Sequence, residues 1–191
     1  MIIEKHRRWI IYLISCRLDI FSQFYRSSIA VISPNLIEEL NLDTEELGLI
    51  SASFFYAFAM MQIPVGIYLD SVGPRFFITT LSLLAAVGAI VFAYGESAEA
   101  LMVGRILLGV GMACNLLGPL KLITAWFSPL YFATLSAIFV SVGTAGNIVA
   151  ATPLVWLTEL LGWRSTFLLV SAINLFIAIL FYWVARDYPD N

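Results

Sequence analysis

Long apolar runs alternate with short polar breaks along the chain. Six runs, 9–33, 47–69, 76–95, 101–124, 133–157 and 165–185, are each about 20 residues or longer, the length a helix needs to cross ~30 Å of hydrocarbon. They do not show the two-residue alternation of short barrel strands. The predicted fold is all-α and integral to a membrane, a bundle of six transmembrane helices.

The breaks carry a second pattern. Pro64, Asp70, Gly73 and Arg75 read P-x5-D-x2-G-x-R, and Pro153, Glu159, Gly162 and Arg164 read P-x5-E-x2-G-x-R, 89 residues later. Three helices precede and three follow, so the chain divides into repeats at about 9–95 and 101–185. An odd number of crossings per repeat inverts the second against the first, an arrangement found in secondary transporters.

Composition agrees. The chain is 61% hydrophobic and 12% charged, against about 45–50% and about a quarter in soluble domains. The net charge of −3 comes with no basic cluster, so the bilayer, not nucleic acid, is the expected partner. Cys16 and Cys114 fall inside predicted spans and read as free thiols. No cleavable signal peptide is evident in the first run. Lys5, Arg7, Arg8, Arg75 and Arg186 fall on one side of the predicted topology, and Arg164 alone on the other. The positive-inside rule then places both termini in the cytoplasm, with a bacterial inner membrane as the expected location.

The 2–3 loop resembles the signature G-x-x-x-D-(R/K)-x-G-(R/K)-(R/K) of the major facilitator superfamily, through Gly66, Asp70, Gly73 and Arg75, with Ser71 and Pro74 where basic residues are usual. Arg105, Gly109 and Gly111 resemble the family's Arg and Gly-rich run in helix 4. Gly162-Trp163-Arg164-x-x-Phe167 and Arg186-Asp187 are similar to its entry to and exit from helix 6. Tyr25-Arg26-Ser27-Ser28 followed by Pro34 resembles members that carry organic anions or small peptides. The resemblance covers the whole chain but only the N-terminal six-helix half of a twelve-helix transporter. It implies a second six-helix half, either a missing C-terminal half or a second copy in a homodimer, and a small-molecule substrate bound between the two. It also implies a link between Arg105 and proton coupling, hence symport.

On helix 1, Asp19, Ser22, Gln23 and Arg26 share a face: seven residues at about 100° each return Arg26 to within about 20° of Asp19. An Arg within a span costs about 2.5–3.5 kcal/mol and persists where it meets a cavity or a partner. Arg26, with Gln23 and Tyr56, is the candidate substrate contact, a guanidinium suited to a carboxylate or phosphate. Snorkelling to the interface is the other reading. Asp19 and Arg105 are coupling candidates or members of structural ion pairs. Arg17 lies about 160° from Asp19 and either snorkels or meets another helix. Gly66, Asp70, Gly73 and Arg75 form a gating loop, with an Asp70–Arg75 clasp expected. The helix 4 and 5 glycines permit close helix approach, and Pro119 and Pro153 are expected to kink their helices. No phosphate-cradling loop, metal-ligand cluster or nucleophilic triad is present, so neither an enzyme nor a cofactor is expected. The expected function is transport by alternating access. A receptor or assembly partner that transports nothing is the alternative.

Overall fold

A computed structural model describes residues 2–189, the side chains of 2–5 and 149 excepted. Lys5 of the orientation count therefore lies outside the described side chains. The elements are α1 (Ile2–Leu40), α2 (Thr44–Ser71), α3 (Pro74–Ala93), α4 (Ala98–Met112), α5 (Cys114–Trp126), α6 (Pro129–Leu161) and α7 (Trp163–Val184). α4 and α5 form one rod broken at Ala113, so the bundle has six rods. Five of them are long and apolar enough to cross a membrane. α1 is the exception by composition. It is 39 residues long, but Arg17, Asp19 and Arg26 interrupt its apolar run.

Local chemistry sets the boundaries. α2 starts at a capping box: the Asp43 carboxylate accepts from the Glu46 N–H at 2.8 Å, and the Glu46 carboxylate accepts from the Asp43 N–H at 3.0 Å. This satisfies two N–H groups that the first turn leaves unpaired. α3 and α6 begin on Pro74 and Pro129, where the missing N–H costs nothing. The fourth rod breaks at Ala113, six residues before the expected kink at Pro119. There the Ala113 carbonyl accepts a hydrogen bond from Gln62 of α2 at 3.3 Å.

The helices of one repeat hardly touch one another. α1 lies along α6, α2 along α4, and α3 against α4 and α7. If helices 1, 2 and 3 correspond to 4, 5 and 6, the α1–α6 and α2–α4 contacts are the same contact made twice. Each contact is a glycine against a backbone carbonyl. A Cβ on Gly109 of α4 would strike the Phe54 carbonyl oxygen of α2, and one on Gly146 of α6 would strike the Ile20 carbonyl oxygen of α1. Ile20 and Gly109 stand 89 residues apart and Phe54 and Gly146 stand 92 apart, so the second contact is displaced by about one helical turn.

The two motif loops are equally reciprocal. Gly73 (φ 90°) and Gly162 (φ 77°) precede α3 and α7 in backbone that side chains rarely adopt. Arg75, at the start of α3, donates through Nε to the Tyr182 carbonyl near the end of α7 at 2.9 Å. Arg164, at the start of α7, donates through Nη1 to the Ala93 carbonyl at the end of α3 at 2.6 Å. Tyr182 follows Ala93 by 89 residues, as Arg164 follows Arg75. Each arginine thus satisfies C-terminal carbonyls that a helix cannot satisfy itself. α3 and α7 are antiparallel, and the repeats are inverted.

The candidate site on the polar face of helix 1

The apolar rule that builds the bundle fails on one stripe of α1, and the stripe lies where α1 is flanked by α2 and α6. Asp19 is only 3% exposed. Its carboxylate rests so close to Gly143 of α6 that a Cβ there would overlap it. The glycine is what admits an acid to this helix contact. Gln23 lies one turn further on, its Cβ against Gly146. Ser27 donates to the Asn147 side-chain oxygen at 2.5 Å on the exposed edge of the α1–α6 seam.

Arg26 is half-buried, its guanidinium carbon 4.8 Å from the centroid of the Phe58 ring of α2. Such contact with a ring face stabilises the cation without neutralising it. Its Nε is buried without a hydrogen-bond partner, and among the described residues neither terminal nitrogen is taken by an acid or a carbonyl. Asp19 and Arg26 share the stripe but form no ion pair, since seven residues separate them by ~10 Å along the helix. Tyr56 does not join them. It is 71% exposed and stands two positions from Phe58, which turns it about 200° to the far side of α2. The ring that meets Arg26 is Phe58, a residue no pattern singled out.

Arg105 is wholly buried. Its Nη1 donates to the Tyr25 carbonyl at 2.6 Å, and its guanidinium carbon lies 4.7 Å from the Phe54 ring centroid. Nε and Nη2 have no partner. The structural ion pair considered for Arg105 is thus replaced by a carbonyl and a ring.

The gating loop needs a larger correction. Asp70 and Arg75 do not form a clasp. The Asp70 carboxylate pairs with Lys121 of α5 at 2.6 Å, and the same ammonium donates to the Leu69 carbonyl at 2.6 Å. Lys121 therefore neutralises an acid placed unfavourably at the negative end of α2 and caps that end as well. Arg75 turns the other way. Its guanidinium lies 4.4 Å from the Tyr182 ring centroid, and its backbone N–H donates to Asp187 at 2.7 Å. Asp187 also packs against Gly73, where a Cβ would meet it at 2.8 Å. Gly66 faces open space, with nothing within 4 Å of a Cβ built there. Its part in the signature is not packing within this bundle.

The ends of the bundle differ in chemistry. Arg8, Asp70, Arg75, Lys121 and Trp126 gather at the end where α1 begins. Trp126 donates to the Arg186 carbonyl at 2.9 Å there. At the other end Glu39 accepts from the Trp163 indole at 2.6 Å and from Arg164 Nε at 2.9 Å.

Comparison with known proteins agrees with this geometry. The family model described as Major Facilitator Superfamily matches residues 19–191. An uncharacterized transporter, YybO, of Bacillus subtilis is 26% identical over 97% of this chain and 42% of its own length. The probable sulfoacetate transporter SauU of Cupriavidus necator is 27% identical, over 96% of this chain and 43% of its own. The hexuronate transporter of Escherichia coli is 27% identical over the same shares, 96% and 43%. The chain thus spans less than half the length of these relatives. Among solved structures, a bacterial homolog of the human lysosomal transporter Spinster, inward-facing and unoccupied, superposes with a TM-score of 0.83 at 20% identity over 96% of this chain and 44% of that one. Six rods in two inverted repeats, with a family match over nearly the whole chain, place it in the major facilitator superfamily of membrane transporters.

Proposed function

We propose that the chain is the N-terminal half of a secondary transporter that moves small organic anions by alternating access, with Arg26 as the anion contact. One observation carries this reading: Arg26 is half-buried in a polar stripe, braced by a ring and near Asp19, with no hydrogen-bond partner for its guanidinium among the described residues. A carboxylate or sulfonate satisfies such a fork with two parallel hydrogen bonds. Two of the relatives are named for sulfoacetate and hexuronate, both small organic anions. Gln23 adds a neutral hydrogen-bonding group one turn away. A second six-helix half, from another chain or a second copy, closes the other side of the cavity.

The end bearing Arg8, Arg75 and Lys121 faces the cytoplasm of an inner membrane by the excess of basic residues. Asp19, buried and within electrostatic reach of Arg26 but in no ion pair among the described residues, is the group that takes up a proton during symport. Arg105 is the nearby fixed charge whose unpartnered nitrogens respond to it.

The test is ligand binding by the detergent-purified chain, read as thermal shift and by calorimetry with sulfoacetate, glucuronate and neutral glucose. The anions bind and glucose does not. Arg26→Ala weakens anion binding about ten- to a hundredfold, the worth of a hydrogen-bonded charge. Arg26→Lys recovers part of it, because an ammonium cannot supply the fork. Unchanged affinity in Arg26→Ala removes Arg26 from the site. Proteoliposomes holding this chain alone test the second copy: a strict monomer without uptake rules out the homodimeric transporter.

A further inference from the structure

Beside the stripe that holds Arg26, α6 presents a row of side chains that apolar packing does not explain. Ser141, Thr144 and Asn147 stand three residues apart, all exposed, near the middle of a 33-residue helix long and apolar enough to cross a membrane. Ser141 and Thr144 donate their hydroxyl protons to their own helix, to the Ala137 and Val140 carbonyls at 2.8 Å each. Asn147 is held differently. Its side-chain oxygen accepts from Ser27 of α1 at 2.5 Å. Its NH2 group carries two donors, and neither meets an acceptor among the described residues. An amide left unpaired in hydrocarbon is costly, so this one calls for a polar neighbour.

Helix packing places this amide on the Arg26 side of the bundle. α1 and α6 run parallel, since Asp19 meets Gly143, Gln23 meets Gly146 and Ser27 meets Asn147 in order along both helices. Pro153 of α6 and Phe24 of α1 turn toward α7, where they line a groove with Val170 and Ile173. Asn147 lies about 120° round α6 from Pro153, with Gly143 and Gly146, which face α1, between them. Arg26 lies about 160° round α1 from Phe24. Arg26 and Asn147 therefore stand together on the side of the α1–α6 seam away from α7. The amide sits at the level of Ser27, the residue next to Arg26.

We infer that the Asn147 amide is a second contact for the anion and selects acids that carry hydroxyl groups. This rests on Arg26 as the first contact. With the carboxylate in the Arg26 fork, the amide N–H donates to an oxygen a few carbons along the same molecule. Ser27 is a positioning residue. By occupying the amide oxygen it turns the NH2 group outward, so the site presents a donor there and not an acceptor. An alkanoate of the same length offers only C–H groups at that point and leaves the amide unpaired, and a site built to hydrogen-bond a hydroxyl discriminates against such an analogue. Thr144, one turn before, has already given its proton to Val140 and adds an acceptor for a substrate hydroxyl.

The experiment is calorimetry on the detergent-purified full chain with gluconate and hexanoate, monocarboxylates of equal chain length that differ in their hydroxyl groups. The wild type prefers gluconate. Asn147→Ala weakens gluconate about three- to tenfold, the worth of a neutral hydrogen bond, and leaves hexanoate unchanged. Arg26→Ala weakens both acids. Ser27→Ala lowers the preference for gluconate and Ser27→Thr restores it, a change in selectivity that lost packing alone would not produce. The Ser27 pair decides the matter if Asn147→Ala does not fold. Equal wild-type affinity for the two acids overturns the role of Asn147, as does an Asn147→Ala variant that changes both alike or neither. Loss of both acids in Arg26→Ala then still keeps Arg26 in the site. A wild type that binds neither acid, or an Arg26→Ala variant that binds both unchanged, overturns Arg26 and Asn147 together.

Discussion

Gly109→Val is expected to lower the thermal unfolding midpoint of the detergent-solubilised chain by about 6–12 °C, corresponding to about 3 kcal/mol at the upper end of overpacking effects. The reason is the identity of the atom in the way. A Cβ at Gly109 meets the backbone carbonyl oxygen of Phe54, not the end of a flexible side chain. Relief requires α2 to move away from α4, and with it Phe54, the ring beneath Arg105. Gly146→Val should act on a similar scale, since its Cβ meets the Ile20 carbonyl oxygen at 2.5 Å. Gly66→Val is the control. No atom lies within 4 Å of its Cβ, so its midpoint should equal or slightly exceed that of the wild type. Wild-type midpoints for Gly109→Val and Gly146→Val would mean that these helix pairs are not in backbone contact.

The second large effect is expected at the far end of the bundle. Arg164→Ala removes hydrogen bonds to Ala93 and Gly95 carbonyls at 2.6 and 2.8 Å and to Glu39 at 2.9 Å. A loss of about 2–3 kcal/mol follows for a charged donor serving several acceptors. Arg75→Ala, which loses one side-chain hydrogen bond and a ring contact, should lose less. The same cluster carries a pH signature. The indole N–H of Trp163, followed by Arg164, holds the Glu39 carboxyl below its usual range. A lowered folded pKa stabilises the fold fully above the unfolded carboxylate pKa of about 4.3, and that stabilisation is lost as pH falls through the folded value. The midpoint should therefore not change on account of Glu39 from pH 8 to 5, and the clasp should weaken below about pH 4. Glu39→Gln should lower the midpoint at neutral pH and remove this part of the acid decline. An acid decline identical in wild type and Glu39→Gln would show that Glu39 is not its source.

Much of the architecture was legible in the sequence because its cause is local. Apolar run length defines the rods, and the P-x5-D/E-x2-G-x-R echo defines the inverted repeat, down to an 89-residue offset that recurs in contacts between carbonyls and arginines. The polar stripe of Asp19, Gln23 and Arg26 was legible for the same reason, since helical periodicity assigns residues to faces. Periodicity does not say which neighbour a face meets. Asp70 was therefore given the nearest cation in sequence, Arg75, when the cation that reaches it is Lys121 from another helix. Polarity points to Tyr56 on α2, whereas the residue of α2 that meets Arg26 is the ring of Phe58. Rings that hold cations leave no spacing signature, because any aromatic residue at the right height can serve. The charges that make α1 chemically useful also remove it from the helices apolar enough to cross a membrane by composition alone.

The exchange of caps between α3 and α7 has a consequence for synthesis. While the first three helices emerge from the ribosome, α1 and α2 lack the surfaces they pack on, which lie in α6 and α4. The carbonyls of Ala93 and Gly95 lack the Arg164 donor until that residue has been made. The early chain must therefore wait in the membrane as separate, uncommitted helices. Tertiary structure therefore arrives in two steps: α2 and α3 close on α4 as soon as it is made, and α1 and the exchanged caps wait for α6 and α7. A nascent chain stalled before residue 164 should remain protease-sensitive along its loops, and one released just past α7 should not.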